Sequence, residues 1–231
     1  MKTMQKFGGF AALYLAAAYL IGMVLFLTVL DYPSITDPAQ KAALLVEKQM
    51  VIFLTNLLLY VFFGVFLIVL SLALYDRLKT GAPATMQVAT AIGLIWAGSL
   101  IASGMVANAG IAPVVALYPK DPTQAALTWL GIETVANGLG NANGEILGGL
   151  WTLLVSLAAL RANGLPRVLN IIGLLVGAAG ILSIFPGLSS LIQVYGLGHI
   201  IWFVWLGVEL LRSGPGKTVE EARLFLASRE I

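Results

Sequence analysis

The feature that most constrains this chain is a series of long apolar segments, several of them more than 20 residues long. A helix needs about 20 apolar residues to cross a bilayer core of about 30 Å. One soluble core could not bury so many such segments, and only 10% of the residues are charged, against about 25% in an ordinary soluble domain. The sequence therefore predicts an all-α fold, a polytopic bundle of six transmembrane helices at 8–30, 51–75, 86–112, 141–161, 167–187 and 190–212.

The positively charged residues predict the orientation of this bundle. Of the 13 Lys and Arg residues, all but Lys41, Lys48 and Lys120 fall before the first segment, in alternate connections or after the last segment. Because cytoplasmic connections carry the excess of positive charge, we expect both termini in the cytoplasm. The first segment is longer than the apolar region of a signal peptide, so we interpret it as an uncleaved helix. We divide the chain into a transmembrane domain, 1–212, and a short amphipathic cytoplasmic tail, 213–231.

The two longest outer connections share a sequence pattern. Tyr-Pro is followed in each by Asp-Pro, at Asp37 and Asp121, and then by a Gln and the run Ala-Ala-Leu. Asp before Pro favours a helix start, because the Asp side chain caps free N–H groups and Pro fits the first helical position. Each loop is therefore predicted to open an amphipathic helix that feeds the next span, with Lys41 on the polar side of the first helix. Whether the pattern marks a true internal repeat stays open.

Polar residues within the apolar segments gather towards the predicted outer side. Such groups are costly in hydrocarbon unless they have partners or serve a function. The candidate ligand-binding residues, predicted to line one outward-facing polar chamber, are Asn56, Asn108, Asn141, Glu145, Tyr195 and His199. The alternative for each residue is an interhelical hydrogen bond that serves packing alone.

Of the six candidate residues, Glu145 and His199 have the side chains that most directly suggest a function. Glu133, Asn137, Asn141 and Glu145 are four residues apart and would form one stripe if a single helix contained them all. A carboxylate inside the apolar boundary must be neutral, paired or hydrated. His199 is the only histidine, so the chain cannot supply paired histidine ligands to a haem, although one imidazole could handle a proton or contact a ligand.

Several classes of function are disfavoured by composition. The chain has no cysteine, and its one histidine and scattered carboxylates do not form a metal-ligand pattern, so we predict neither metal nor cofactor. A net charge of +2 without a basic aromatic patch disfavours nucleic acid as a partner. No catalytic residue is assigned, because Ser189 and Ser190 lack a nucleophile-elbow context. An enzyme is the least favoured class.

One stretch of the chain resembles a known family. It contains Gly149-Leu150-Trp151-Thr152-Leu153-Leu154, then Arg161-Ala162-Asn163-Gly164-Leu165-Pro166-Arg167-Val168-Leu169, then Gly173 and Gly177. This pattern is similar to the bacterial membrane family described as domain of unknown function 4386, and Leu72-Ala73-Leu74-Tyr75-Asp76-Arg77-Leu78-Lys79 resembles the inner end of that family's second helix. The resemblance implies six helices in a bacterial inner membrane. It implies no activity and no catalytic residue.

Two functions remain open. The first is binding or transport of a small molecule through the outward-facing chamber. The second is a non-catalytic accessory or assembly subunit, whose glycine-rich helix faces pack against a membrane-protein partner or a second copy. In both cases the surrounding medium is the lipid bilayer.

Overall fold

The computed structural model describes residues 2–140 and 145–212, and every regular element in these ranges is helical. The predicted all-α class is thereby confirmed, whereas the predicted tail, 213–231, and Asn141 lie outside the described residues. The α-helices are α1 (Lys2–Val24), α2 (Pro38–Glu47), α3 (Gln49–Asn56), α4 (Phe63–Leu78), α5 (Pro83–Leu117), α6 (Pro122–Leu139), α7 (Ile146–Ala162), α8 (Arg167–Leu182) and α9 (Leu191–Arg212).

Two π-helical segments interrupt this pattern. Leu25–Val29 extends α1, and Leu57–Phe62 joins α3 to α4. Four helical stretches are long and apolar enough to cross a membrane: Thr3–Val29, Gln49–Leu78, Pro83–Leu117 and Leu191–Arg212. Helices α7 and α8 are apolar but shorter, at 17 and 16 residues.

The helices pack as a closed ring. In order around the ring, α1 contacts α4, α4 contacts α5, α5 contacts α7, α7 contacts α8, α8 contacts α9, and α9 returns to α1. Large aromatic side chains fill the interior, among them Trp96, Trp151, Trp202 and Phe203, each at most 1% exposed. Many large apolar side chains point outwards instead, such as Ile95 and Leu175 at 61% and 67% exposure. An apolar exterior of this kind is that of a helical membrane bundle.

Glycine contacts set the tightest joints of the ring. A Cβ atom on Gly177 of α8 would lie 2.7 Å from the Gly149 carbonyl oxygen of α7, and a Cβ on Gly149 would lie 2.7 Å from the Gly177 carbonyl oxygen. Gly9 of α1 and Gly207 of α9 form a looser pair, with corresponding distances of 3.1 and 3.0 Å. At both joints one backbone lies directly on the other, which is how helices associate when lipid removes the hydrophobic drive.

Helices α2 and α6 pack on each other at the end of the bundle where α1 and α5 end and α3 begins, and we refer to the pair as the cap. The predicted helix starts are confirmed, because the side chain of Asp37 accepts from the Ala39 N–H and that of Asp121 accepts from the Gln124 N–H, both at 2.9 Å. Each cap helix follows a long helix and precedes a further helix of the ring or its connection, so the shared pattern occurs at the same place in the element order twice.

Neither cap helix is continuous with the helix that follows it. The α2 helix ends at Glu47, where Lys48 leaves the helical region with ψ at +24°. The α6 helix ends at Leu139, and α7 begins only at Ile146, five residues later than the predicted span. The stripe from Glu133 to Glu145 therefore does not lie on one helix, because glycines at 138, 140 and 144 disfavour a continuous one.

The glycine joint between α7 and α8 predicts a specific defect. Gly177→Ala should lower the stability of the detergent-solubilised protein by about 1–3 kcal/mol, because its methyl group meets backbone atoms that cannot move aside. The midpoint of thermal unfolding measures this. Gly98→Ala is the matched control, since Gly98 lies in α5 with nothing within 4 Å of the position that a Cβ would take. Equal losses in the two variants would contradict this account of the joint.

Candidate ligand-binding site

The main cavity of the described structure lies between α1, the α3–α4 connection, α5 and α9. Its volume is about 580 Å³, within the range of about 300–1,000 Å³ that is typical of small-molecule sites. Its wall is largely apolar and aromatic, and includes Tyr19, Phe26, Tyr60, Phe63 and Trp96. The polar exceptions on the wall, besides the tyrosine hydroxyls, are the side chains of Glu145 and Gln193.

The cavity opens sideways between α1 and α9. These helices pack closely at Gly9 and Gly207, and further along them Met23, Leu27 and Leu197 line the cavity and form its rim. The rim residues are 39%, 54% and 53% exposed, so they belong to the apolar exterior of the bundle. Gly196 also lines the cavity, and nothing lies within 4 Å of the position a Cβ would take there. An apolar molecule could therefore enter from the side without crossing a polar surface.

Both π-helical segments border the main cavity. Leu25–Val29 contributes Phe26 and Leu27 to the wall, and Leu57–Phe62 contributes Leu59 and Tyr60. Helices adopt π geometry rarely, mostly as single turns, and these turns concentrate at functional sites. Neither segment contains Gly or Pro, so the sequence gives no signal that would have predicted them.

Glu145 occupies the position just before α7, where its backbone carbonyl accepts the first hydrogen bond of the helix, from Gly149 N–H at 2.8 Å. The positive end of the helix dipole favours a carboxylate there. Its Oε2 atom is buried and has no well-formed hydrogen bond to another described residue. Its carboxylate interacts with the hydroxyl of Tyr195, and its charge acts on the hydroxyls of Tyr19 and Tyr60.

Tyr195 and His199 of α9 are buried in the interior of the bundle, with their ring centroids 4.2 Å apart. Tyr195 packs on Gly148 of α7 and Gly180 of α8, two positions where a methyl group would collide with its ring or hydroxyl. His199 is fully buried and uses both ring nitrogens. Nδ1 lies 3.2 Å from the Tyr195 carbonyl oxygen, which can only accept, so Nε2 accepts from the Thr152 hydroxyl at 2.8 Å. His199 therefore links α7 to α9 rather than lining the main cavity.

Asn56 and Asn108 are paired with each other, away from Glu145. The Asn56 amide donates to Asn108 Oδ1 at 3.0 Å, and the Asn108 amide donates to the Phe53 carbonyl at 3.3 Å. Asn56 lines a second cavity of about 70 Å³ below the cap, together with Thr55 and Glu133. We refer to this space as the cap cavity, and its volume and polar lining suit a few water molecules.

The main cavity and the cap cavity are neighbours. Phe26 and Tyr60 line both spaces, so their rings form the partition between an apolar compartment and a polar one. The structure thus brings Glu145 close to Tyr195, whose ring contacts that of His199, and separately joins Asn56 to Asn108. Their predicted role in ligand binding stays a prediction.

An ion pair that the sequence analysis missed holds the cap together. Lys41 Nζ of α2 lies 2.8 and 3.0 Å from the two carboxylate oxygens of Glu133 on α6. The Tyr32 hydroxyl donates to the same carboxylate at 2.7 Å, and the Trp129 indole donates to the Tyr32 oxygen at 3.3 Å. Lys41 and Glu133 are only 20% and 10% exposed in their side chains, so Lys41, on the predicted polar side of α2, faces α6 rather than solvent.

The cap also changes the chemistry of Tyr32. Burial, followed by the hydrogen bond to Glu133, raises the pKa of Tyr32 well above its ordinary value. The phenol therefore remains a neutral donor, which is the form that the Glu133 carboxylate requires. Only the recurrence of the Tyr-Pro and Asp-Pro pattern in both loops could have indicated from sequence that the two cap helices are related.

A ring of apolar helices around a ligand-sized cavity defines this molecule as a helical membrane bundle. The chain belongs to the family described as Domain of unknown function (DUF4386), whose model matches residues 9–214. The family resemblance of the α7–α8 hairpin is thereby confirmed. No curated protein and no solved structure matches the chain.

The cap ion pair predicts unequal effects for two lysines of the same region. Lys41→Ala should destabilise the protein by about 3 kcal/mol, because it leaves the Glu133 carboxylate buried without its counterion. Lys48→Ala removes an exposed pair with Glu47 and should change stability by less than about 1 kcal/mol. Thermal unfolding in the same detergent compares the two variants. Similar small losses would show that the cap does not depend on the Lys41 pair.

Proposed function

We propose that this protein binds an apolar or amphiphilic small molecule that reaches the main cavity from the bilayer, between α1 and α9. The observation that carries the proposal is the cavity itself, about 580 Å³ in volume, aromatic in its wall and open at an apolar rim. Sites for small molecules combine an apolar wall with a few placed polar groups. Glu145 and Gln193 supply the polar groups here.

The geometry of the opening favours the lipid phase as the source of the ligand. Met23, Leu27 and Leu197 at the rim are exposed and apolar, and their helices, α1 and α9, are both long enough to span a membrane. A molecule dissolved in the bilayer would enter without leaving an apolar environment, so its entry requires little desolvation. The π-helical turns in the wall give the cavity a shape that regular helices would not.

We further propose that the bundle crosses the inner membrane of a bacterium six times, with both termini in the cytoplasm and the cap outside. Closure of the ring supports this topology, because α7 and α8 take places equivalent to those of the longer spans. Seventeen residues of α-helix extend about 25 Å, so α7 would span only with some local thinning of the bilayer. The distribution of Lys and Arg supports the orientation.

The topology can be tested with single cysteines, since the chain has none of its own. Thr36→Cys and Lys120→Cys place a thiol at exposed positions beside the cap helices, and Thr80→Cys places one at an exposed position in the connection between α4 and α5. In intact cells, a membrane-impermeant maleimide should label the first two variants and should label Thr80→Cys only after permeabilisation. The parent protein controls for background labelling. The reverse pattern would overturn the proposed orientation.

Ligand binding can be tested by filling the cavity. Gly196→Phe should abolish binding, because the new ring would occupy space that is empty around Gly196. Quenching of tryptophan fluorescence by a terminally brominated long-chain alcohol reports binding, since Trp96 lines the cavity. In maltoside micelles we expect a saturable quenching component that the variant lacks.

Gly98→Phe is the matched control for this experiment. It adds the same ring to a long helix at a glycine with open space around it and away from the main cavity. The saturable component of tryptophan quenching in this variant should equal that of the wild type. Quenching that only rises linearly with quencher in the wild-type protein, or that persists unchanged in Gly196→Phe, would overturn the proposed function.

A further inference from the structure

The one carboxylate on the described wall of the main cavity indicates more specifically which class of ligand the cavity would bind. We propose that the ligand is an amphiphile with a cationic, substituted-ammonium head group, which lies beside Glu145 and the aromatic wall while its apolar tail extends towards the rim. This inference rests on the proposed function, because it names the class of ligand that the same cavity would take.

The first argument is the missing counterion of Glu145. Its carboxylate lies beside the Tyr195 hydroxyl, its Oε2 atom is buried, and none of the ion pairs formed by the described residues includes it. Burial of an ionised carboxylate without a partner costs several kcal/mol or more. A cation supplied by the ligand would remove that cost, and it would do so at the one acidic position of the described cavity wall.

The second argument is the chemistry of the surrounding rings. Tyr19, Tyr60 and Trp96 line the same cavity as Glu145, and the charge of its carboxylate acts on the hydroxyls of both tyrosines. Aromatic faces attract cations. Substituted ammonium groups are bulky and weakly hydrated, so they are recognised by several aromatic rings together rather than by hydrogen bonds. A carboxylate among aromatic rings would supply both the negative charge and the aromatic faces that bind such a head group.

The third argument is the exclusion of the opposite charge. No Lys, Arg or His contributes to the described wall of the main cavity. In the cap, Lys41 is held by Glu133, which lines the cap cavity on the other side of Phe26 and Tyr60. An anionic head group would therefore meet repulsion from Glu145 and find no positive partner in the wall.

The cavity also provides a path for the apolar tail of the amphiphile. From Glu145 the cavity extends to the rim at Met23 and Leu197, which are apolar and exposed. A single alkyl chain could follow this path into the surrounding lipid. Head group and tail would then each meet a matching environment.

The test compares three amphiphiles with the same tail: cetyltrimethylammonium, cetyl alcohol and cetyl sulfate. Each competes with the brominated alcohol for the wild-type protein in micelles of an uncharged maltoside, with concentrations expressed as mole fractions in the micelle. We expect the cation to displace the quencher at a mole fraction at least about tenfold lower than the alcohol, and the sulfate to be the weakest competitor.

The variants identify the source of that preference. Glu145→Gln should retain displacement by the alcohol but reduce the advantage of the cation to about twofold or less. Glu145→Asp keeps the charge and should keep a preference for the cation, which guards against misfolding as the cause of any loss. Glu47→Gln removes an acid that is 69% exposed on α2 and should behave like wild type.

The outcomes separate the two proposals. Equal competition by the cation and the alcohol in the wild-type protein, with saturable quenching intact, would overturn the ligand class and leave the proposed binding function standing. A cation preference that survives in Glu145→Gln would equally overturn the role of the carboxylate. If the quenching has no saturable component and no amphiphile competes, the proposed binding function itself fails.

Discussion

Close contact between helix backbones at glycines is the constraint on which the rest of this structure depends. Gly149 and Gly177 bring α7 onto α8, and Gly9 and Gly207 bring α9 back onto α1. In lipid, helices gain little from burying apolar side chains, so dispersion contacts of this kind supply much of the association energy. Beyond this contact the same two helices border the main cavity, whose rim lies between them.

Two acidic residues show how position decides the role of a charge in this bundle. Glu133 is buried in the cap, where Lys41 and Tyr32 satisfy its carboxylate, so its role is to join α2 to α6. Glu145 lies at the start of α7 beside an apolar cavity, without an ion-pair partner among the described residues. The first carboxylate is therefore structural, whereas the second is the group in the main cavity that a ligand could satisfy.

The sequence by itself determined the all-helical class, the approximate helix ranges and the helix starts at Asp37 and Asp121. These follow from local rules: apolar length, and the hydrogen bonds of a capping side chain to the next few N–H groups. Glu145 and Tyr195 were identified from the sequence as polar groups within apolar segments, and their role in ligand binding stays a prediction. Family membership was likewise readable from the α7–α8 hairpin.

The tertiary structure alone decided which polar groups meet and where space is left. Lys41 and Glu133 are 92 residues apart, and nothing local to either predicts their contact. The six candidate residues looked alike as polar groups in apolar segments, yet Asn56 pairs with Asn108, and His199 is satisfied by Thr152 and the Tyr195 backbone. The π-helical turns and the gap between α1 and α9 depend on how neighbouring helices pack, because a cavity is a property of several helices together and is encoded in none of them singly.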